Sequence, residues 1–345
     1  MILIVFVYCA AVAAVAAAVT FAVARRRFLM DVPNQRSSHA TPVPRSGGLG
    51  IVTAAVLGVV VLGLDGHPAL LRDGGFFAVL VGSLVAAAGG LADDIHTRSF
   101  VFKIAVQLAA AGVTIVMGVG LATLYLPGIG PVQLGMFGPL ITLLWMVGLT
   151  NAYNFMDGID GLAGGTGVIA AVFLTLATLV LKQFNEAALA STIAAASLGF
   201  VVFNLPPARV FMGDVGSQFL GFAFAALGVI VARDDPSGTL IYLVPLLLFH
   251  FIFDTLLTAG RRWWRGEKVT EAHRSHLYQR LTPAGKRHGP TTALLSTIAV
   301  LQGAGALFLA ALPPEKRLLV FLPAIALQLV YVLVVVRRES RATAK

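Results

Sequence analysis

Apolar segments about as long as a bilayer is thick recur along the whole of this chain. A membrane-spanning helix needs roughly 20 apolar residues. Candidates lie near residues 2–24, 48–64, 76–92, 103–120, 132–150, 161–181, 187–204, 217–232, 239–258, 291–312 and 318–336. The fourth and fifth are the least secure, because the stretch LYLPGIGPVQLG between them is rich in turn residues. We predict an all-α, polytopic integral membrane protein with about 10–11 transmembrane helices, forming a single domain over residues 1–345.

Composition and charge support this class. Only 12% of the residues are charged, whereas a soluble domain averages about 25%. If the N-terminus is outside, 20 of the 25 Lys and Arg residues fall in loops on the opposite side, which the positive-inside rule assigns to the cytoplasm. This bias accounts for the net charge of +9 without a nucleic-acid partner. Because Arg25–Arg27 follow the first apolar run, we interpret that run as a retained span and not as a signal peptide.

The stretch NAYNFMDGIDG places four polar side chains three residues apart at the edge of the fifth span. They are Asn151, Asn154, Asp157 and Asp160. On a continuous helix they would form one slowly drifting stripe. Polar residues at a membrane edge are costly and functional by default, and their oxygens suit hard cations such as Mg²⁺. The stripe therefore indicates a metal or substrate site, with a polar helix–helix seam as the alternative.

Three further acids lie at the ends of spans. Asp93 and Asp94, in GLADDIHTRSFVFK, close the third span, and Asp214, in FMGDVGS, opens the eighth. Adjacent carboxylates repel each other, so a divalent metal or a basic group is expected beside Asp93 and Asp94. Lys103, which opens the fourth span, either holds a phosphate or extends to the membrane surface. For Asp214, capping of the eighth span and metal ligation both stay open.

Two inside loops combine basic residues with histidines. The first, DVPNQRSSHATPVPRSGGLG, contains Arg36 and His39, and the longest, RRWWRGEKVTEAHRSHLYQRLTPAGKRHGP, contains His273, Arg274 and His276. On a helix His273 and His276 would share a face. Zinc is disfavoured because no third nitrogen or sulfur ligand lies nearby. Arg274 and Arg280 beside the histidines favour a phosphate-facing or catalytic role. The alternative is a basic loop that touches anionic lipid.

Two other residues are expected to be structural. Cys9 is the single cysteine, so an internal disulfide and a cysteine metal site are excluded. Asp254, inside the ninth span, is expected to pair with Arg261 or Arg262, one to two helical turns further on.

Taken together, these groups fit an anionic substrate that is held by Mg²⁺ and basic side chains on the cytoplasmic side. Phosphoryl transfer needs such a set, because it is catalysed mainly by positioning and charge neutralisation. The membrane setting suggests a lipid phosphate as one substrate. A secondary transporter for an anionic solute would place polar residues deep in several spans, and the second, third and tenth spans offer almost none. A non-catalytic lipid-binding scaffold would not need this number of acids.

Five segments resemble the ordered motifs of the polyprenyl-phosphate N-acetylhexosamine-1-phosphate transferases, glycosyltransferase family 4, which include WecA, WbpL and MraY. They are DVPNQRSSHATPVPRSGG, GLADD, NAYNFMDGIDGLAGG, FMGDVGS and AHRSHLYQRL, within residues 31–282. The resemblance implies that undecaprenyl phosphate and a UDP-N-acetylhexosamine give undecaprenyl-diphospho-sugar and UMP. This would be the first membrane step of O-antigen or other cell-envelope polysaccharide synthesis. It implies a bacterial inner-membrane enzyme with a cytoplasmic active site, surrounded by membrane lipid and free to form a homodimer.

The resemblance also implies residue roles. Asp214 and Asn154 would hold Mg²⁺, for which Mn²⁺ could substitute. Catalytic roles are predicted for Asp93, Asp94, Asp157, Asp160, His273 and His276. Substrate binding is predicted for Asn151, Lys103, Arg36, His39 and Arg274. Asp93 resembles the residue proposed as base, but a phosphate monoester with a second pKa of about 6 is already largely dianionic at pH 7. Asp93 is therefore also a candidate for orienting the lipid phosphate.

One departure bears on the donor sugar. The late segment reads EAHRSH, whereas the muramyl-pentapeptide branch carries three consecutive histidines and WecA is also richer in histidine. The sequence thus favours the WecA/WbpL side over phospho-MurNAc-pentapeptide transfer. It leaves GlcNAc, GalNAc, FucNAc and QuiNAc open as the donor sugar.

Overall fold

The structure is a computed structural model that describes residues 2–26, 29–32, 42–64, 73–268, 273–283 and 287–343. Within these ranges the α-helices are α1 (Ile2–Arg25), α2 (Gly48–Leu64), α3 (Gly74–Ile95), α4 (Phe100–Val116), α5 (Gly138–Phe155), α6 (Leu162–Val180), α7 (Phe184–Asn204), α8 (Gly213–Ala232), α9 (Leu243–Leu247), α10 (Phe249–Trp264), α11 (Leu277–Leu281), α12 (Gly289–Ala311), α13 (Pro314–Arg317) and α14 (Phe321–Thr343). Short 3₁₀ turns precede α5, α9 and α14.

Every predicted span corresponds to an apolar helix, so the all-α polytopic fold is confirmed. In the described part of the chain, eight helices are long and apolar enough to cross a membrane, with α13 and α14 counted together. The number is nine if α9 and α10 form one span, which bends by 75°. Two more apolar helices, α2 and α4, have 17 residues each. The protein is therefore a multi-pass membrane protein.

Helix α8 lies at the centre of the bundle, and nearly all of its residues are buried. Helices α3 and α5 pack along it, and α2 contacts it over a shorter stretch. Close approach requires glycine at two positions. A Cβ on Gly90 of α3 would lie 2.4 Å from the carbonyl oxygen of Asp214, and one on Gly48 of α2 would lie 2.4 Å from the Cα of Gly216. The backbone at the start of α8 therefore lies directly against α2 and α3.

The ends of α3 and α4 are fixed by side-chain caps. Asp73 accepts a hydrogen bond from the Gly75 amide at 2.8 Å, and Ser99 accepts one from the Phe102 amide at 3.2 Å. Such caps satisfy backbone donors that the first helical turn leaves free. Asp73 also forms a two-point ion pair with Arg233, at 3.1 and 2.8 Å. This pair joins α3 to α8 at one end of the bundle, opposite to the end where Gly90 meets Asp214.

The turn-rich stretch between the fourth and fifth spans forms an antiparallel hairpin. Strands β3 (Thr123–Leu126) and β4 (Gly130–Gln133) pair with each other, and a second pair joins β1 (Met30–Asp31) to β2 (Val43–Pro44). The Ile129 amide donates to the Leu126 carbonyl at 3.0 Å across Pro127 and Gly128, and Gly128 has φ +81°. Proline followed by a positive-φ glycine is the sequence of a type II turn. The prediction of all-α structure therefore misses these short strands, which are set by turn chemistry.

Candidate active site

Four helix ends meet at one end of the bundle and bring charged groups together. Helices α3 and α5 end there, and α4 and α8 begin there. Lys103 Nζ lies 2.7 Å from Asp93 Oδ2 and 2.9 Å from Asp214 Oδ2. The ammonium group thus bridges two carboxylates that would otherwise repel each other. The expected cation beside the acids is Lys103, which does not extend to the membrane surface.

Asp94 binds the start of α8. Its Oδ1 accepts from the Asp214 amide at 3.1 Å, and its Oδ2 accepts from the Val215 amide at 3.0 Å. A helix N-terminus favours negative charge. Arg45 Nη2 also donates to the Asp94 carbonyl oxygen at 2.5 Å. The alternative of Asp214 as the N-cap is therefore wrong, because α8 begins at Gly213 and Asp94 supplies the carboxylate that accepts from its first amides.

Asn154 completes the contacts of Asp214. Its Nδ2 donates to Asp214 Oδ1 at 3.1 Å and to Ser217 Oγ at 2.8 Å. Both oxygens of Asp214 therefore have partners, one from α5 and the other from α4. The carboxamide of Asn154 also carries an oxygen, Oδ1, which is the atom that would bind a metal.

Asn151 lies one turn deeper than Asn154 and forms part of a buried amide cluster. Its Nδ2 donates to Gln107 Oε1 at 2.6 Å and to the Val147 carbonyl at 2.8 Å. Gln107 in turn donates to Gln218 Oε1 at 2.8 Å. The structure thus places Asn151, a predicted substrate-binding residue, beneath the charged groups and not among them.

The predicted stripe from 151 to 160 is wrong in its second half. Helix α5 ends at Phe155, so Asp157 and Asp160 lie in the turn that follows. Asp157 is half-buried near the charged cluster. Its burial, and then the charges of Asp214 and Asp94, raise the pKa of this carboxyl to about 8. A carboxyl group in this environment favours either a proton or a cation.

Asp160 faces a different set of partners. Its Oδ1 lies 2.9 Å from His288 Nδ1, and its Oδ2 accepts from the Ala208 amide at 3.0 Å. The Asp160 carbonyl oxygen accepts from Thr292 Oγ1 at 2.6 Å. These contacts join the turn after α5 to the start of α12 and to the loop before α8. Asp160 therefore holds this turn in place.

The late histidines precede a helix and do not share the face of one. His273 and His276 lie before α11, and their ring centroids are 5.0 Å apart. His276 is buried, with Nδ1 3.1 Å from Asp254 Oδ1. The same carboxylate accepts from the amides of Leu277 at 2.9 Å and Tyr278 at 3.2 Å. The expected pairing of Asp254 with Arg261 or Arg262 is therefore wrong, because His276 and the first two amides of α11 contact this carboxylate instead.

The late motif lies beside the end of α5. Tyr278 Oη donates to the Phe155 carbonyl at 3.0 Å, and the His276 ring centroid is 6.0 Å from that of Phe155. Burial, followed by the neighbouring His276 and Arg262, lowers the pKa of His273 to about 4. His273 is therefore neutral near pH 7. Arg274 lies in the same segment and is half-buried.

Some predictions cannot be compared with the structure. Arg36 and His39 lie outside the described residues. Among the residues that are described, no three His, Cys, Asp or Glu side chains form a group that could hold a metal ion. The metal roles of Asp214 and Asn154 therefore stay predictions.

A small cleft lies beside the charged cluster, between α3, α4 and the start of α8. Asp93, Lys103 and Asp214 line one part of it, and Gly89 and Val106 line another. The cleft thus combines charged and apolar walls.

Sequence reasoning missed several residues of this region. Gln107, Gln218 and Arg45 were not predicted as site residues, and neither was His288. The first two carried a usable signal: each is a glutamine in an apolar helix, four residues after a charged residue of the cluster, Lys103 or Asp214. Arg45 lies within the first motif segment, DVPNQRSSHATPVPRSGG, which was its signal. His288 carried none, because its partner Asp160 comes from a distant part of the chain.

Comparison with known proteins identifies the family. The model of glycosyl transferase family 4 matches residues 76–232, which include Asp93, Asp94, Lys103, Asn154 and Asp214. A Bacillus subtilis protein named "Probable undecaprenyl-phosphate N-acetylglucosaminyl 1-phosphate transferase" is 30% identical over 281 residues, which cover 81% of this chain and 77% of that protein. A Mycobacterium leprae protein named "Decaprenyl-phosphate N-acetylglucosaminephosphotransferase" is 33% identical over 298 residues, 79% of this chain and 74% of that protein.

A second branch of the family is also similar. A Leuconostoc citreum protein named "Phospho-N-acetylmuramoyl-pentapeptide-transferase" is 29% identical over 264 residues, covering 72% of this chain and 79% of that protein. The membrane-spanning helices, the charged cluster at their ends and these similarities agree with one another. The chain belongs to glycosyl transferase family 4, the polyprenyl-phosphate N-acetylhexosamine-1-phosphate transferases.

Proposed function

We propose that this protein transfers an N-acetylhexosamine 1-phosphate group from a UDP-sugar to undecaprenyl phosphate and releases UMP. The names of the Bacillus and Mycobacterium relatives support a polyprenyl-phosphate acceptor and an N-acetylglucosamine-type donor. The product would begin O-antigen or another cell-envelope polysaccharide. The bacterial relatives support a protein of the bacterial inner membrane. The bias of Lys and Arg in the predicted loops supports an N-terminus outside and a charged cluster in the cytoplasm.

The observation that carries this proposal is the bridge from Lys103 to Asp93 and Asp214 where four helix ends meet. In the reaction, an oxygen of the lipid phosphate attacks the phosphorus of the sugar 1-phosphate. The new P–O bond forms as the bond from that phosphorus to the oxygen that leaves with UMP breaks. Lys103 and Arg45 can neutralise phosphate oxygens, and neutralisation with positioning is most of what such a transfer needs.

The residues present fit Mg²⁺ or Mn²⁺. Asp93 and Asp214 already converge on one cationic atom, Lys103 Nζ, within 2.9 Å. Carboxylate and amide oxygens are the ligands that hard cations prefer, so Asp214 and Asn154 would hold the ion. A bound ion would neutralise negative charge on the reacting phosphate groups.

Asp93 fits an orienting role better than that of a base. Its Oδ1 accepts from the Arg98 amide at 2.7 Å, and its Oδ2 holds Lys103. The lipid phosphate is largely dianionic at pH 7, so the attacking oxygen needs no base. Asp93 would instead fix where the Lys103 ammonium group meets that phosphate.

The first experiment is an assay of UMP release by the purified protein with undecaprenyl phosphate and Mg²⁺. The donors are UDP-GlcNAc, UDP-GalNAc, UDP-FucNAc, UDP-QuiNAc and UDP-MurNAc-pentapeptide. We expect UMP with one N-acetylhexosamine donor, and loss of release with EDTA or in Asp214→Ala. Asp234→Ala is the matched control, because Asp234 is 86% exposed at the opposite end of the bundle.

Release with the pentapeptide donor alone would favour the activity named for the Leuconostoc relative. If folded protein gave no UMP and no lipid-dependent exchange of labelled UMP into any donor, the transfer reaction would be rejected. The transporter and scaffold alternatives would then be tested next.

A further inference from the structure

The polar residues at the convergence of α4, α5 and α8 form two layers. The upper layer is ionic and contains Lys103, Asn154 and Asp214. Each of these three helices also carries an amide residue one turn deeper: Gln107 on α4, Asn151 on α5 and Gln218 on α8. The spacing is four, three and four residues, so each amide lies beneath the upper-layer residue of its own helix.

The lower layer joins all three helices through a single side chain. Gln107 Oε1 accepts from Asn151 Nδ2 at 2.6 Å, and Gln107 Nε2 donates to Gln218 Oε1 at 2.8 Å and to Asn151 Oδ1 at 3.3 Å. Gln107 is 1% exposed and Gln218 is 4% exposed. Buried amides bonded in this way have few alternative partners, so they fix the rotation and separation of the helices.

The upper layer depends on that separation. Lys103 reaches Asp214 at 2.9 Å, and Asn154 reaches the same carboxylate at 3.1 Å. These contacts cross the α4–α8 and α5–α8 boundaries, as the contacts of Gln107 and Asn151 do one turn below. A shift of α4 by about 1 Å would break the ion pair geometry, and misplacement of that size can reduce a reaction rate on the order of 100-fold.

We propose that Gln107, together with Asn151 and Gln218, is a set of positioning residues that fixes Lys103 and Asn154 against Asp214. This inference rests on the proposed transferase function for its kinetic consequence, and it assigns a task to two glutamines outside the predicted site. Neither glutamine needs to touch the reacting phosphates. Removal of the Gln107 amide releases α4 from α5 and α8 at the level directly below the ionic layer.

The test compares Gln107→Leu with Gln302→Leu in two measurements. Gln302 is a matched control, since it is also a glutamine and is 2% exposed. It lies on α12 and contacts His250 of α10, away from the amide layer. The first measurement is kcat for UMP release. The second needs no substrate: it is the acetylation rate of Lys103 by acetic anhydride, relative to the exposed Lys182 and Lys316, followed by mass spectrometry of peptides.

We expect Gln107→Leu to lower kcat 10- to 100-fold with KM changed less than threefold, and to raise the relative acetylation of Lys103 at least threefold. Gln302→Leu should leave both within twofold of the parent protein. Gln218→Met removes one hydrogen-bond acceptor of the lower layer and should shift kcat and Lys103 acetylation in the same directions. It replaces Gln107→Leu in the test if that variant does not fold. If the parent protein releases no UMP, the transferase proposal fails and acetylation alone decides the present inference. Unchanged Lys103 acetylation in both variants would overturn it.

Discussion

At the scale of single residues, Tyr278 connects two motifs that are distant in sequence. Its hydroxyl donates to the Phe155 carbonyl at 3.0 Å, which ties the late histidine segment to the end of α5. The ring lies so close to Gly158 that a Cβ there would be 2.0 Å from Oη and 3.0 Å from Cζ. The absence of a side chain at position 158 is therefore a condition for the approach of the two segments.

Gly158→Ala tests this contact. The added methyl group must displace Tyr278, so we expect overpacking of about 1–3 kcal/mol, a lower Tm and at least a fivefold fall in kcat. Tyr278→Phe in the same chain should recover part of the Tm, because it removes the atom of closest approach. The control is Gly260→Ala, where a Cβ would meet nothing within 4 Å. Equal effects of the two alanine substitutions would contradict the argument.

His273 predicts a pH effect on stability. Its pKa in the folded protein is about 4, lowered by burial and then by His276 and Arg262, whereas an unfolded histidine has a pKa of about 6.5. The unfolded chain thus binds a proton at a higher pH, so the stability present above pH 6.5 is lost as the pH falls toward 4. We expect Tm to drop over this range, and to drop less in His273→Gln.

The control for this measurement is His96→Gln, because His96 is exposed just after α3. Its substitution should leave the pH slope of Tm unchanged. Parallel slopes for the parent protein and His273→Gln would show that His273 does not carry the effect.

At the scale of elements, the C-terminal helix holds the late motif. Arg280 of α11 forms a two-point contact with Glu339 of α14, with Nε 2.7 Å from Oε1 and a second short contact to Oε2. The side chain of Glu339 is 41% exposed, so the pair adds less than about 1 kcal/mol to stability. The pair matters for position: α14 carries none of the motifs, yet through Glu339 it holds α11, the segment that follows His276.

A charge swap tests that geometry. Glu339→Arg places like charges together, so we expect a three- to tenfold loss of kcat with Tm within about 2 °C of the parent protein. Arg280→Glu added to Glu339→Arg should restore kcat to within twofold. UMP release and thermal unfolding measure both quantities. If the double variant had no higher kcat than Glu339→Arg, the loss would not come from the Arg280–Glu339 pair.

The sequence predicted elements well where apolar length decides them, and poorly where a distant partner does. The eleven apolar runs all became helices, since burial of a long apolar surface outweighs local preferences. The row from Asn151 to Asp160 is not one stripe, because its last two residues lie in a turn that His288 and Ala208 hold through Asp160. Asp254 was assigned the wrong partner for the same reason. The amide layer needed the mutual placement of α4, α5 and α8, which periodicity along one helix does not contain.

At the scale of the whole molecule, the charged cluster and the late histidines lie at the same end of the helix bundle. The bridge at Lys103, the Asp94 contact with α8 and the late histidines all lie where α3 and α5 end and α8 begins. The opposite end carries the Asp73–Arg233 pair and the β3–β4 hairpin. Applied to the loops predicted from the sequence, the positive-inside rule favours the cytoplasm for the end that carries the cluster.

Cysteine labelling in whole cells checks this orientation. In a Cys9→Ala background, we expect Asp234→Cys to react with a membrane-impermeant thiol reagent in intact spheroplasts. His96→Cys should react only after permeabilisation, because it lies beside the cluster. Both positions are exposed, so denatured samples of the two variants should label equally. The reverse pattern in intact spheroplasts would place the cluster outside.

The Lys103 bridge has a consequence for how ligands arrive. A divalent cation held by Asp214 would compete with the Lys103 ammonium group, which is already 2.9 Å from the same carboxylate, so its binding would be an exchange and not a simple addition. The ammonium group, still held by Asp93, would then be free for an anionic phosphate, which would relieve the competition for Asp214. Cation and phosphate would therefore strengthen each other's binding by the same factor.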